Sequence, residues 1–174
     1  MILAKEGESM FMKKDGIQDQ DACYHEILLS LDSLLQNAPT PLAKLSNAAA
    51  LLNVYLDNIN WVGFYLAEGE RLTLGPFQGL PACDTILLTQ GVCGKAATTQ
   101  SIQRVDDVHQ FPGHIACDAK SQSEIVLPIM QQDQLYAVLD IDAPVKGRFD
   151  QKDELYLSQV VKILEKNLFH EKNS

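Results

Sequence analysis

The sequence predicts an α+β fold, in which a mainly antiparallel sheet of about six strands is covered on one face by helices from both chain ends. Apolar residues recur at steps of three and four near both ends of the chain, which is the spacing of amphipathic helices. Over the middle of the chain the period becomes two, as in strands with one buried face. These strand-like runs follow one another through short turns, and this arrangement favours antiparallel hairpins.

Two helices are predicted first, over residues 17–37 and 41–59. Thr40 is a suitable N-cap, and Pro41 fits the first helical position. The second helix is expected to pack either on another helix of this chain or on a second copy of it. Its apolar stripe consists of Leu42, Leu45, Ala49, Leu52, Leu56 and Ile59.

The remaining elements alternate between strands and helices. Asp150 is a suitable N-cap for the last helix. The segment 106–123, rich in Gly, His, Pro and Asp, is predicted to be a long loop, and loops of that length are usually functional. The predicted strands are 61–66, 71–78, 85–88, 101–105, 124–130 and 134–142, and the predicted helices are 91–99 and 151–169.

Residues 1–16 are expected to form a flexible leader, with Met10 or Met12 as an alternative start. Residues 17–174 are expected to form a single domain, since 174 residues with 46% hydrophobic side chains suffice for one core.

The charge balance excludes several classes of partner. The formal net charge of -9 argues against nucleic acid, which needs a basic face, and against an anionic membrane surface. No apolar run approaches the ~20 residues that a membrane span requires. We therefore expect a cytoplasmic protein, and in that compartment cysteines are more often catalytic or redox-sensing than structural.

Seven segments of the chain resemble one family, the free methionine-(R)-sulfoxide reductases, which are stand-alone GAF-domain enzymes. The resemblance implies a GAF fold and the reduction of free L-methionine (R)-sulfoxide to methionine, with thioredoxin as the reductant and no cofactor. The segments are 60–65 (NWVGFY), 75–79 (GPFQG), 91–94 (GVCG), 107–109 (DVH), 111–118 (FPGHIACD), 123–128 (SEIVLP) and 138–142 (VLDID).

Sulfoxide reduction needs a nucleophilic cysteine, a resolving cysteine and a proton donor. Cys117, in the long loop beside Asp118, is our candidate nucleophile, and Cys83 is the first candidate for the resolving residue. Cys93 begins a glycine-flanked helix whose N–H groups favour a thiolate, so it is an alternative resolver or attacker. The order of the three stays open. Cys23 lies on the apolar stripe of the first helix and is expected to be structural.

Three carboxylates are candidates for proton donation and amine binding. Asp140 and Asp142 are two apart on a strand, so they point to the same face, and Glu124 begins the preceding strand. Crowded carboxylates raise one another's pKa, so one can stay protonated and deliver a proton to the sulfoxide oxygen while another holds the substrate ammonium. The resemblance implies the same use of these positions.

Aromatic and backbone groups are expected to complete the substrate site. Trp61 and Tyr65 share one strand face and form an apolar wall that suits an S-methyl group. Backbone N–H groups near Ala116 are expected to bind the substrate carboxylate, and His109 and His114 are candidates for orienting that loop.

Other uses of these residues are considered as alternatives. A metal site is not predicted, because the cysteines lack the close spacing typical of zinc ligands. The alternative functions are a GAF ligand sensor without turnover and a thiol sensor that signals through a Cys83–Cys117 disulfide. A homodimer formed through the helices is also expected.

Overall fold

The computed structural model describes residues 19–113 and 118–169. The expected leader over 1–16, Ala116 and Cys117 lie outside this range. The helices are α1 (Gln20–Gln36), α2 (Pro41–Tyr55), α3 (Gly91–Thr99) and α4 (Gln151–Phe169), and a short 3₁₀ turn spans Val108–Gln110. The strands are β1 (Trp61–Glu68), β2 (Arg71–Gly79), β3 (Thr85–Leu87), β4 (Gln103–Val105), β5 (Ser123–Gln131) and β6 (Gln134–Ala143).

The six strands form one sheet in the order β3-β2-β1-β6-β5-β4. Every pairing is antiparallel, which confirms the predicted hairpins. Strands β1 and β6 lie at the centre, with β2 and β5 on either side of them. Strand β6 therefore forms hydrogen bonds on both of its edges, and its side chains point alternately to the two faces of the sheet.

Helices α1, α2 and α4 cover one face, as predicted for helices from both chain ends, while the short helix α3 packs on the other. None of the helices in the described residues is long and apolar enough to cross a membrane. The three-helix face buries alternate residues of the central strands, among them Val62, Phe64, Ile125, Leu127, Leu139 and Ile141. The α3 face buries the other set, which includes Trp61, Tyr65, Val126 and Val138.

The predicted helix caps are present. The Thr40 hydroxyl accepts a hydrogen bond from Ala43 N at 3.2 Å, and Pro41 occupies the first helical position. The Asp150 carboxylate accepts from Lys152 N and Asp153 N at the start of α4. Each cap satisfies N–H groups that have no partner within the helix, so the local sequence fixes where these helices begin.

The predicted end of the second helix is wrong. Helix α2 ends at Tyr55, not at Ile59, because Leu56 turns to extended backbone and Asn58 adopts a left-handed φ of 56°. Asn tolerates this conformation better than most residues. Leu56 nevertheless stays buried, so the chain keeps the apolar contact while it bends toward β1.

Candidate active site

The sheet register brings the predicted site residues into rows across three strands. Asp142 of β6 is paired with Trp61 of β1 on one side and with Glu124 of β5 on the other. Asp140 lies one row further, between Gly63 and Val126. Paired residues share a face, so the three carboxylates and Trp61 all point away from the three-helix core.

Helix α3 places a cysteine against this acidic group. Cys93, Glu124 and Asp140 are each buried, with 4 to 6% of their surface exposed. The Cys93 Sγ lies 3.9 Å from Glu124 Oε1, and one ligand atom from each of the three side chains lies within 4.8 Å of the others. Asp140 Oδ1 is buried and has no hydrogen-bond partner among the described residues. The unliganded site thus contains an unsatisfied carboxylate oxygen.

Burial raises the pKa values of the three carboxyl groups. Loss of solvation raises the pKa of Asp140 to about 6, and hydrogen bonds from Cys93 and Glu124 oppose that shift. Burial, together with the charge of Asp140, raises the pKa values of Glu124 and Asp142 well above their ordinary range. The site therefore favours the protonated form of Glu124 and Asp142 more than water does, and a carboxylic acid can donate a proton.

The same environment acts on Cys93. Burial and the neighbouring carboxylates raise the pKa of its thiol well above the ordinary value. The thiolate is the nucleophilic form of cysteine. The sequence suggests Cys93 as an alternative attacker because a helix N-terminus favours the thiolate. Burial and the acidic neighbours act in the opposite direction and favour the neutral thiol.

The predicted aromatic wall is formed by two stacked rings of β1. The Trp61 and Tyr65 ring centroids are 5.9 Å apart, with an interplanar angle of 24°. Trp61 Nε1 donates to Leu80 O at 3.2 Å, and the Tyr65 hydroxyl donates to Cys83 O at 3.1 Å. The wall is thus hydrogen-bonded to the segment that carries Cys83.

Two glycines make room for the Trp61 indole. A Cβ on Gly63 would lie 2.6 Å from Trp61 Cη2, and a Cβ on Gly79 would lie 2.5 Å from Trp61 Cδ1. The indole also stacks on Phe77 at 5.3 Å. The sequence analysis missed this role, although a glycine inside a strand is a known sign of close approach by a neighbouring group.

A narrow cavity of about 10 Å³ lies between the aromatic wall and the acids. This is far below the usual size of ligand pockets, ~300–1,000 Å³, so the site is nearly closed in this conformation. Glu124 and Cys93 are not among its lining residues. The lining residues are Trp61, Tyr65, Leu80, Pro81, Ala82, Asp118, Asp140 and Asp142.

A hydrogen-bond network that the sequence analysis missed links β1 to the functional loop. Asn60 Nδ2 donates to Asp118 Oδ2 at 2.8 Å and to Ser121 Oγ at 3.1 Å, and Asn60 N donates to Asp142 O. Ser121 in turn hydrogen-bonds the Asp142 side chain. No local pattern in the sequence indicates this network, because Asp118 and Ser121 lie 58 and 61 residues from Asn60 along the chain.

The described cysteines have different environments. Cys83 is disulfide-bonded, and Cys93 is a free buried thiol. Cys23 donates to Tyr55 O at 3.4 Å and packs against the helical core, which agrees with the structural role expected for it. His109 is largely exposed and pairs with Asp107 at 3.1 Å. The other loop candidates, His114, Ala116 and Cys117, lie outside the described residues.

Comparison with known proteins supplies the family. The model of the GAF domain family matches residues 30–168. The free methionine-R-sulfoxide reductase of Escherichia coli (strain K12) is 50% identical over 145 residues, which are 83% of this chain and 88% of that protein.

Two solved structures of similar proteins support the same family assignment. The fRMsr of Staphylococcus aureus in complex with substrate is 53% identical, with a TM-score of 0.80 over 83% of this chain and 95% of that one. The free methionine-R-sulfoxide reductase of Neisseria meningitidis in complex with its substrate is 38% identical, with a TM-score of 0.86 over 91% and 96% of the two chains. The chain therefore belongs to the GAF domain family and, within it, to the free methionine-R-sulfoxide reductases.

Proposed function

We propose that this protein reduces free L-methionine (R)-sulfoxide to L-methionine. The observation that carries the proposal is the small cavity in which stacked Trp61 and Tyr65 face the buried Asp140 and the partly buried Asp142. The proposal is supported by the 50% sequence identity to the free methionine-R-sulfoxide reductase of Escherichia coli (strain K12). A cavity with one apolar wall and one acidic wall suits an amino acid whose two ends are a methyl sulfoxide and an ammonium group.

The three carboxyl side chains have two roles in this proposal, which are to bind the substrate ammonium and to protonate the sulfoxide oxygen. Asp140, with an unsatisfied oxygen and the lower pKa, binds the substrate ammonium. A hydrogen bond that involves a charged group contributes a net ~1.5–3 kcal/mol. Glu124 and Asp142, whose pKa values burial raises, are the candidate donors to the sulfoxide oxygen. Backbone N–H groups near Ala116 bind the substrate carboxylate in this proposal.

The chemistry follows from these groups and from Cys117, the proposed nucleophile. The Cys117 thiolate attacks the sulfoxide sulfur and forms a sulfur–sulfur bond, while the oxygen takes a proton from a carboxylic acid. The oxygen then bonds to Cys117 Sγ as its bond to the substrate sulfur and the sulfur–sulfur bond break. Methionine leaves, and Cys117 carries the oxygen as a sulfenic acid. Sulfur of the substrate is reduced by two electrons and the cysteine is oxidised by two, so no cofactor is required.

Resolution returns the enzyme to its starting state. The thiol of the resolving cysteine, proposed to be Cys83, attacks the sulfenic acid, forming a disulfide and releasing water. A dithiol protein, proposed to be thioredoxin, then reduces that disulfide by exchange. The disulfide at Cys83 is compatible with this oxidised state. The proposed place of action is the cytoplasm, where such dithiols keep thiols reduced.

The proposal is tested by coupling turnover to thioredoxin, thioredoxin reductase and NADPH. Free L-methionine (R)-sulfoxide is expected to drive NADPH oxidation, whereas the (S) epimer is expected to be a very poor substrate, because inversion exchanges the oxygen and methyl positions relative to the proton donor. N-acetyl-methionine sulfoxide should also fail, because acetylation removes the ammonium charge and adds bulk in a closed cavity. Equal kcat/KM for free and acetylated substrate would show that the carboxylates do not recognise the amine.

A further inference from the structure

We propose that Cys93, Glu124 and Asp140 form a binding site for a thiophilic divalent cation such as Zn²⁺ when no substrate is bound. These residues come from α3, β5 and β6, so three separate elements converge to bring one sulfur and two carboxylate groups together. All three side chains are buried. The inference goes beyond the proposed reductase function because cation binding requires no turnover and no substrate.

The geometry is close to that of a zinc site. Tetrahedral zinc binds sulfur at ~2.3 Å and oxygen at ~2.0–2.2 Å, so neighbouring sulfur and oxygen ligands lie about 3.5 Å apart. The observed distance from Cys93 Sγ to Glu124 Oε1 is 3.9 Å, and all three ligand atoms lie within 4.8 Å of one another. The Cys93–Glu124 pair would have to close by about 0.4 Å and the most widely separated pair by up to about 1.3 Å, so side-chain rotation at the site is required for bonding distance.

A second observation, on one oxygen of Asp140, is compatible with a cation at this position when substrate is absent. Only 6% of the surface of Asp140 is exposed to solvent. Its Oδ1 atom has no hydrogen-bond donor among the described residues. A buried carboxylate oxygen without a donor is costly, and a cation relieves that cost directly. The same side chain also lines the cavity, so a cation that enters there meets Asp140 first, while Cys93 and Glu124 are not among the lining residues.

The donor set selects the class of ion. Mg²⁺ and Ca²⁺ prefer six or more oxygen ligands, which this group does not supply. One thiolate with two carboxylates suits Zn²⁺ or Cd²⁺, with a fourth position left for water. Binding displaces the proton of the Cys93 thiol and any proton held by Glu124, so the affinity of the site rises with pH and each binding event releases protons.

The test uses untagged full-length protein, oxidised so that Cys83 is in its disulfide, with Cd²⁺ as the spectroscopic probe. A cadmium–thiolate bond gives an ultraviolet charge-transfer band. The band is expected for the wild type and for the control Cys23→Ser, which changes the other described thiol. It is expected to be absent from Cys93→Ser, whose hydroxyl replaces sulfur at nearly the same size.

Calorimetric titration with Zn²⁺ provides a second measurement. Loss of one ligand of three should raise the Kd at least ~10-fold, so both Cys93→Ser and Asp140→Asn are expected to bind Zn²⁺ at least that much more weakly than Cys23→Ser does. Circular dichroism and urea unfolding verify that the variants are folded. A charge-transfer band that persists in Cys93→Ser, an unchanged Kd in Asp140→Asn, or no band in the wild type would overturn the assignment.

Discussion

At the scale of single residues, Asp140 makes the stability of the protein depend on pH. Its folded-state pKa of about 6 lies above the ordinary value of 3.8, because burial disfavours the charged form. Between these values the folded state binds more protons than the unfolded state does. The free energy of unfolding therefore decreases as pH rises from about 4 to about 6, and the raised pKa values of Glu124 and Asp142 continue this decrease to higher pH.

We predict that Asp140→Asn flattens this dependence. The wild type should lose on the order of 2 kcal/mol of unfolding free energy over that window through Asp140, and the variant should not. Urea unfolding at pH 4, 5, 6 and 7 measures the difference. Asp107→Asn is the matched control, because the Lys146 ammonium lowers the pKa of Asp107, and its titration lies below this window. Parallel curves for wild type and Asp140→Asn would contradict the prediction.

The cysteines give a second prediction at this scale. Cys117→Ser should abolish methionine formation in a single turnover without reductant, because the attacking thiolate is missing. Cys83→Ser should allow one turnover and then stop, because the sulfenic acid cannot be resolved. Cys23→Ser, which changes the thiol packed against the helical core, should turn over normally.

Quantifying methionine after rapid mixing distinguishes these outcomes. A normal single-turnover yield from Cys117→Ser would move the nucleophile to Cys93, despite the acidic surroundings that raise the pKa of that thiol.

At the scale of elements, local sequence predicted most helices and strands but could not predict how they meet. The caps at Thr40 and Asp150 act within a few residues, so their positions followed from the sequence. The shared face of Asp140 and Asp142 followed from the period of two. The approach of Cys93 to Glu124 depends on how α3 docks on the sheet, which no local pattern determines. The apolar spacing of α2 likewise continues in the sequence to Ile59, although the helix ends at Tyr55, because this spacing does not show where the backbone turns.

The packing of β1 on β2 gives a prediction about Gly63. A Cβ there would lie 2.4 Å from Phe77 Cβ, 2.6 Å from Trp61 Cη2 and 2.9 Å from Phe77 Cα, and the last contact is with backbone. Gly63→Ala should therefore displace the indole, raise KM and reduce the free energy of unfolding by ~1–3 kcal/mol.

Urea unfolding and steady-state kinetics measure both effects. Gly69→Asn is the control, since Gly69 has open space around it and Asn tolerates its positive φ of 63°. An unchanged KM for Gly63→Ala would mean that the position of the indole does not matter for substrate binding.

At the scale of the whole molecule, we propose a homodimer formed through the helical face. Leu45, Ala49 and Leu52 of the α2 stripe are buried in the chain's own core, so they are not available to a second copy. Leu42 of α2 and Leu29 of α1 are 67% and 73% exposed and are the candidates for the contact.

Light scattering should give about twice the 19.3 kDa chain mass at micromolar concentration. Leu42→Glu together with Leu29→Glu should shift the protein to monomer, because charge in an apolar contact is costly. The control is Leu87→Glu, on the edge strand β3, where 49% of the side chain is exposed. A mass of one chain at every concentration would rule out the dimer.

Because β6 lies at the centre of the sheet, different parts of the site are expected to open on different timescales. Asp140 and Asp142 lie on a strand that is hydrogen-bonded on both edges, whereas residues 106–113 contain only a short 3₁₀ turn. Backbone amides of β6 should therefore exchange with deuterium only when the whole molecule unfolds, while those of 106–113 should exchange through local opening. Native-state exchange followed by mass spectrometry measures both rates. Residues 106–113 can then open and close many times while the carboxylates stay fixed, so motion of this segment does not loosen the groups that are proposed to recognise the ligand.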